Sequence, residues 1–113
     1  MESCRQKLTG RFRGNVLIKE SILLDLSQYK YIIGYGVGQY YDYIKSKIPE
    51  EVHFDFLCDA RREQIGEIYD GIKVISPEEL KVLKGAFVIV FSGNPRTWQS
   101  IANDLDVMGL AYV

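Results

Sequence analysis

Tyr31-Ile32-Ile33-Gly34-Tyr35-Gly36-Val37-Gly38-Gln39 runs an apolar strand into a glycine-dense turn that immediately opens a helix. Gly34 and Gly36 occupy the first two glycine places of G-x-G-x-x-G, where the first permits a tight turn and the second lets a pyrophosphate approach the backbone. Gln39 stands in the third place, whose glycine lets the helix pack closely on the strand. Three glycines within Gly34–Gly38 exceed the need of a simple turn. Unpaired N–H groups at the start of the helix, with its dipole, favour a phosphate there. The alternative is a tight strand-to-helix turn that holds no ligand.

Outward from this turn, strands alternate with helices, the pattern of a parallel sheet covered on both faces. A first strand is predicted over 29–33. A helix over 38–47 follows, with Tyr40, Tyr43, Ile44 and Ile48 at helical spacing and Pro49 as its stop. The second strand is 52–58, ending before Asp59. Residues 60–71 carry no apolar period and read as a loop leading to a short strand over 72–75. Ser76-Pro77-Glu78-Glu79 combines a capping serine, proline at the first helical position and a glutamate at the third, which predicts a helix over 77–83. The continuous apolar run Ala86–Phe91 is the signature of a central strand buried on both faces. Asn94-Pro95 caps a helix whose apolar face is Trp98, Ile101, Ala102, Leu105 and Met108, and Gly109 ends it. Leu110–Val113 is a last strand.

At 113 residues and 47% hydrophobic content the chain suits one compact core. A formal charge of −1 and a sequence pI of about 5.8 give no basic footprint, so nucleic acid is not expected as a partner. Residues 1–28 fit the strand–helix rhythm poorly. They are read as a basic N-terminal extension, helical in part, ahead of the nucleotide-binding domain at 29–113. Cys4 and Cys58 lack the paired spacing of thiolate metal sites and read as free thiols in a reducing cytoplasm. The start of the chain lacks the apolar core of a signal peptide, and no run approaches the roughly 20 apolar residues of a membrane span. A cytoplasmic location is the expectation.

In open parallel sheets, ligands bind beyond the carboxyl ends of the strands where strand order reverses. The glycine turn, Asp59 and Ser92-Gly93-Asn94 all fall on that edge. Asp59 lies about 25 residues after Gly34, near the spacing at which an acid accepts ribose hydroxyls; a solvated carboxylate is the bland alternative. Arg61 or Arg62 could meet a phosphate. Asn94 reads first as a helix cap, and such a terminus can cap and bind at once. Tyr41 and Lys45 have the Tyr-x-x-x-Lys spacing of short-chain reductases, but too early in the chain to reach a reaction centre. His53 lies in the second strand without a catalytic or metal companion. No nucleophile and base stand together, so these residues describe a binding site rather than a complete active site, and no metal is expected.

Gly34-Tyr35-Gly36 with Asp59, then Gly71-Ile72-Lys73-Val74-Ile75-Ser76-Pro77-Glu78-Glu79-Leu80, then Gly93-Asn94-Pro95-Arg96, resemble a family of small Rossmann-like domains. These are the nucleotide-sugar-binding N-terminal domains of bacterial sugar acyltransferases, with similar modules beside sugar-modifying enzymes and methyltransferases. The resemblance covers 29–113. It implies a three-layer α/β fold with a mostly parallel five-stranded sheet in the order 3-2-1-4-5. It also implies a nucleotide or nucleotide-sugar held by the first glycine loop, the acid after the second strand and the Gly93-Asn94 turn. In those acyltransferases the chemistry belongs to a following β-helix of hexapeptide repeats, which these residues do not contain, so acyl transfer is not expected of them.

The expected ligand site is Gly34, Tyr35, Gly36, Val37, Gly38, Asp59, Arg61, Ser92, Gly93 and Asn94. A nucleotide-sugar ranks above NAD(P) as ligand, because the third glycine is absent. The leading function is recognition of a nucleotide or nucleotide-sugar within a larger sugar-modifying enzyme or assembly. A Rossmann-like module for protein interaction or homo-oligomerisation through residues 1–28 is the second reading, and an NAD(P) domain of an oxidoreductase the third.

Overall fold

The computed structural model describes Leu26 and residues 28–113; the expected N-terminal extension and its helix lie outside them, apart from their last residues. The elements are β1 (Tyr31–Tyr35), α1 (Gln39–Lys45), β2 (Phe56–Cys58), β3 (Ile68–Tyr69), β4 (Ile72–Ile75), α2 (Pro77–Lys81), β5 (Ala86–Val90), α3 (Pro95–Met108) and β6 (Ala111–Tyr112). They form a Rossmann-like three-layer α/β fold. Its six-stranded sheet runs β3-β4-β2-β1-β5-β6, with every pairing parallel except β3 with β4.

Alternation along the central strands divides the core into two layers. Phe87, Ile89 and Phe91 join Leu57 and Val74 beneath Tyr41 and Ile44 of α1. Ile33, Tyr35, Val88 and Val90 face the other way, against Leu80 of α2 and Leu105 of α3. All five residues of β5 are buried, as its unbroken apolar run requires. Full burial of side chains such as Phe87, Val88, Ile89 and Val90 stabilises by roughly 1.5–3 kcal/mol each.

The differences from the expected elements have local causes. The first strand runs two residues further than predicted, so Gly34 pairs with Leu57 on one side and Ile89 on the other instead of entering the turn. A Cβ on Gly34 would lie 2.8 Å from the Phe91 ring and 2.9 Å from Leu57 Cδ2. Glycine therefore lets these side chains close over the strand. The second strand is only three residues long, because Asp55 takes over the start of the ladder. Its carboxylate accepts the Ile32 N–H at 2.8 Å while its own N–H donates to the Ile32 carbonyl.

Tyr41 and Ile44 are the buried residues of α1, joined in the core by Val37 before the helix and Ile48 after it, whereas Tyr40 and Tyr43 are exposed, their tilted rings 6.1 Å apart. The helix stops at Lys45, before Pro49, because the next bonds tighten to Lys47 N–H on Ile44 and Ile48 N–H on Lys45. Helix α2 ends at Lys81 rather than Leu83.

The segment expected as loop contains a strand. Asp70 and Gly71 both have positive φ, 55° and 76°, as a two-residue hairpin turn of the primed kind needs. This hairpin pairs Tyr69 with Ile72 and adds the antiparallel edge strand β3 to the five expected.

Three local signals read from sequence are realised. Ser76 and Glu79 form the reciprocal capping box. Asn94 caps α3, and Gly109 closes it in the left-handed conformation at φ 76°. No helix among the described residues is long and apolar enough to cross a membrane.

Candidate functional site

The chain order runs from β1 outward through β2 to β4, then returns to β5 and β6, so strand order reverses between β1 and β5. At that edge the turn is Gly36-Val37-Gly38. Gly36 has φ 115°, and a Cβ there would stand 2.5 Å from the Phe91 carbonyl oxygen. Its N–H donates to the Cys58 carbonyl at 2.8 Å, tying the turn to the end of β2. Gly38 is the N-cap residue of α1 at φ 140°, with open space around its missing side chain. With the strand extended through Tyr35, Gly36 and Gly38 take the first two fingerprint places and Tyr41 the third. Tyr41 is almost fully buried and packs edge-on against Phe91 at 5.0 Å. The room that a helix glycine would provide comes instead from Gly34 within the strand.

Asp59 follows β2 and is 6% exposed. Its Oδ2 accepts the Val37 N–H at 3.0 Å and Arg61 Nη2 at 3.0 Å; its Oδ1 accepts the Arg61 N–H at 2.9 Å and Nε at 3.0 Å. Arg61 Nη2 also donates to the Val37 carbonyl. The pair thus clamps both polar groups of Val37 and fixes the glycine turn. Burial, the largest influence on Asp59, raises its pKa. The hydrogen bonds from Arg61 and Val37, with the guanidinium charge, outweigh it and hold the carboxyl below its ordinary value. Both carboxylate oxygens are engaged within the chain.

A cleft of about 410 Å³ opens above this turn. It brings together Tyr35, Gly36, Val37, Gly38, Asp59, Arg61 and Ser92 of the expected residues. Gly34, Gly93 and Asn94 do not line it. Gly34 lies in β1 under the aromatic cluster. Gly93 carries the ring of Tyr40, which a Cβ would meet at 3.2 Å. Asn94 Oδ1 accepts the N–H groups of Arg96 at 2.9 Å and Thr97 at 3.3 Å, so it serves as a cap. Ser92 Oγ bonds the backbone of Asn94 in the same turn.

The cleft also has lining residues that sequence reasoning missed: Tyr40 of α1, and Thr97, Ser100 and Asp104 from α3. The three α3 residues recur at i, i+3 and i+7 beside the helix's apolar face, and that spacing was the available signal.

Tyr41 and Lys45 do meet, but on Asp70. Tyr41 Oη donates to its Oδ2 at 2.7 Å and Lys45 Nζ at 2.8 Å, joining α1 to the hairpin. Burial first, and then Asp70, push the Tyr41 phenol up, the reverse of an activated base. Burial likewise pushes the Cys58 thiol up. His53 lies ahead of β2 rather than within it, and is exposed.

Residues 27–111 match the model of the family described as C2185-like, N-terminal, and the chain belongs to that family. Among solved structures it is similar to the crystal structure of RSP, a Rex-family repressor, at 20% identity and a TM-score of 0.50. That match covers 96% of this chain and 57% of the repressor chain, so the chain spans little more than half of the repressor's length. The likeness is one of fold. No curated protein matches the chain. Neither description names a sugar acyltransferase.

Proposed function

We propose that this member of the C2185-like N-terminal family binds a nucleotide, with the phosphates at the Gly36-Val37-Gly38 turn and the remainder in the adjoining cleft. One observation carries the reading: a cleft of about 410 Å³ sits where strand order reverses, and a clamped glycine turn forms its floor. Clamping matters because Asp59 and Arg61 hold Val37 from both sides, so the turn is set before a ligand arrives. Arg61 keeps half of its side chain exposed, leaving Nη1 for an anionic group.

A nucleotide-sugar is the ligand class we favour, with the domain acting as a recognition module of a larger sugar-modifying enzyme or assembly. Two features support it over NAD(P). Asp59 meets Arg61 through both oxygens and has no free oxygen for a ribose diol. Tyr41 fills the third glycine place of the dinucleotide fingerprint. The NAD(P) reading draws on the position of Asp59 after β2, and requires Arg61 to move aside.

The test is titration with UDP-sugars, UDP, NAD and S-adenosylmethionine while following fluorescence of Trp98, half-buried on α3, or backbone amide shifts. A saturable response to UDP-sugars that exceeds the response to NAD is expected. No saturable response to any of the four overturns the proposal.

A further inference from the structure

Tyr35 ends β1 on the α3 side of the sheet, is 5% exposed and lines the cleft. Among the described residues, none gives its hydroxyl a hydrogen bond. A buried phenol in that state loses its water without a replacement, and phenylalanine would fill the same space without the penalty. Burial, followed by the electrostatic influence of Cys58, Asp104 and Asp59, pushes its pKa up, so the hydroxyl stays protonated and able to donate.

On α3, Thr97, Ser100 and Asp104 line the same cleft along one helix face. Asp104 makes no ion pair or hydrogen bond among the described residues. This wall therefore offers a donor, an acceptor that carries charge and two hydroxyls that can do either. A phosphate is disfavoured beside Asp104. A neutral hydroxyl is not, since it can accept from Tyr35 and donate to Asp104.

We infer that Tyr35, Thr97, Ser100 and Asp104 form a subsite for the neighbouring hydroxyls of a sugar, separate from the glycine turn that takes the phosphates. The inference rests on the nucleotide reading above and assigns one end of the cleft to each part of the ligand. The sugar is either the hexose of a nucleotide-sugar or the second ribose of a dinucleotide, beyond the pyrophosphate.

Calorimetric titration of the whole chain, wild type, Tyr35→Phe and Asp104→Asn, against the pairs UDP-glucose with UDP and NAD with AMP tests it. Both substitutions keep side-chain volume, and unchanged circular dichroism and Trp98 emission would confirm folding. Each variant is expected to weaken the member of one pair that carries the further sugar, UDP-glucose or NAD, by about fivefold or more, the equivalent of one hydrogen bond, and its partner by less than about twofold. Loss confined to UDP-glucose assigns the subsite to a hexose, and loss confined to NAD assigns it to the second ribose of a dinucleotide. Equal weakening within both pairs, or none, overturns the subsite while leaving nucleotide binding intact. A wild type that binds none of the four overturns both.

Discussion

Gly36 approaches Phe91 so closely that a Cβ on the glycine would stand 2.5 Å from the phenylalanine carbonyl oxygen. The obstacle is backbone, and that backbone is held by the bond from Phe91 N–H to the Tyr35 carbonyl at 2.8 Å. Gly36→Ala adds this clash to the strain of φ 115°. At Gly38 a methyl group would meet open space, so Gly38→Ala suffers only the unfavourable conformation, roughly 1–3 kcal/mol. The expected loss for Gly36→Ala exceeds that of Gly38→Ala, reaching about 3 kcal/mol or more. Urea unfolding midpoints of the two variants check the order, and equal midpoints would contradict it.

Gly34→Ala tests a different physical effect. Its φ is not positive, and its close neighbours are the flexible or tiltable ends of Phe91 and Leu57 side chains. Overpacking of this kind typically costs about 1–3 kcal/mol. A companion Phe91→Leu change removes ring atoms above the site, so the double variant should lose less than the sum of the two single ones. Strict additivity in a thermal or urea cycle would show that the Phe91 ring is not what makes glycine necessary.

Asp59 makes stability depend on pH in a direction that can be worked out. Its carboxyl lies below the ordinary value when folded, held there by Arg61 and Val37 against the opposing effect of burial. A lowered folded pKa contributes stability that is complete above the unfolded value, about 3.9, and is lost as pH falls through the folded one. Wild-type stability should therefore drop below about pH 4, and Asp59→Asn should show a shallower drop. Asp70, lowered by Lys45 and then by Tyr41, contributes in the same direction and persists in that variant. At neutral pH, Asp59→Ala should cost roughly 2–3 kcal/mol. That is less than a fully buried pair, because the Arg61 side chain is half exposed. Parallel pH profiles for wild type and Asp59→Asn would rule out the ionised clamp.

Elements bounded by local chemistry were legible in the sequence. The Ser76–Glu79 box, the Asn94-Pro95 start and the Gly109 end each involve residues within a few positions, and each appears where the spacing placed it. The apolar run of β5 was equally plain. Gly34 was not, because whether a glycine turns the chain or makes room in a strand depends on Leu57 and Phe91, which are distant in sequence. The Asp59–Arg61 contact is local, but its meaning comes from Val37 in the turn after β1, and the carboxylate whose spacing suits a ribose is engaged by the chain. The Asp70-Gly71 hairpin carried its own signal. Two residues able to adopt positive φ lie between Ile68-Tyr69 and Ile72-Lys73, and a search for apolar period alone passes over it.

Asn94 is the N-cap residue of α3. Its Oδ1 accepts from both Arg96 and Thr97, two of the N–H groups that α3 would otherwise leave without partners. The residue does not line the cleft, although Thr97 does. Asn94→Ala should therefore cost about 1 kcal/mol of stability. Asn94→Asp should retain the cap and, by placing an acid at the positive end of α3, match or slightly exceed the wild type at neutral pH. Neither change should move the affinity for a UDP-sugar by more than about twofold, because a cap acts on the helix and the proposed ligand site is the glycine turn and the cleft wall. Thermal unfolding combined with Trp98 titration reads both quantities. A large loss of affinity in Asn94→Ala at temperatures where the variant remains folded would return Asn94 to the ligand site.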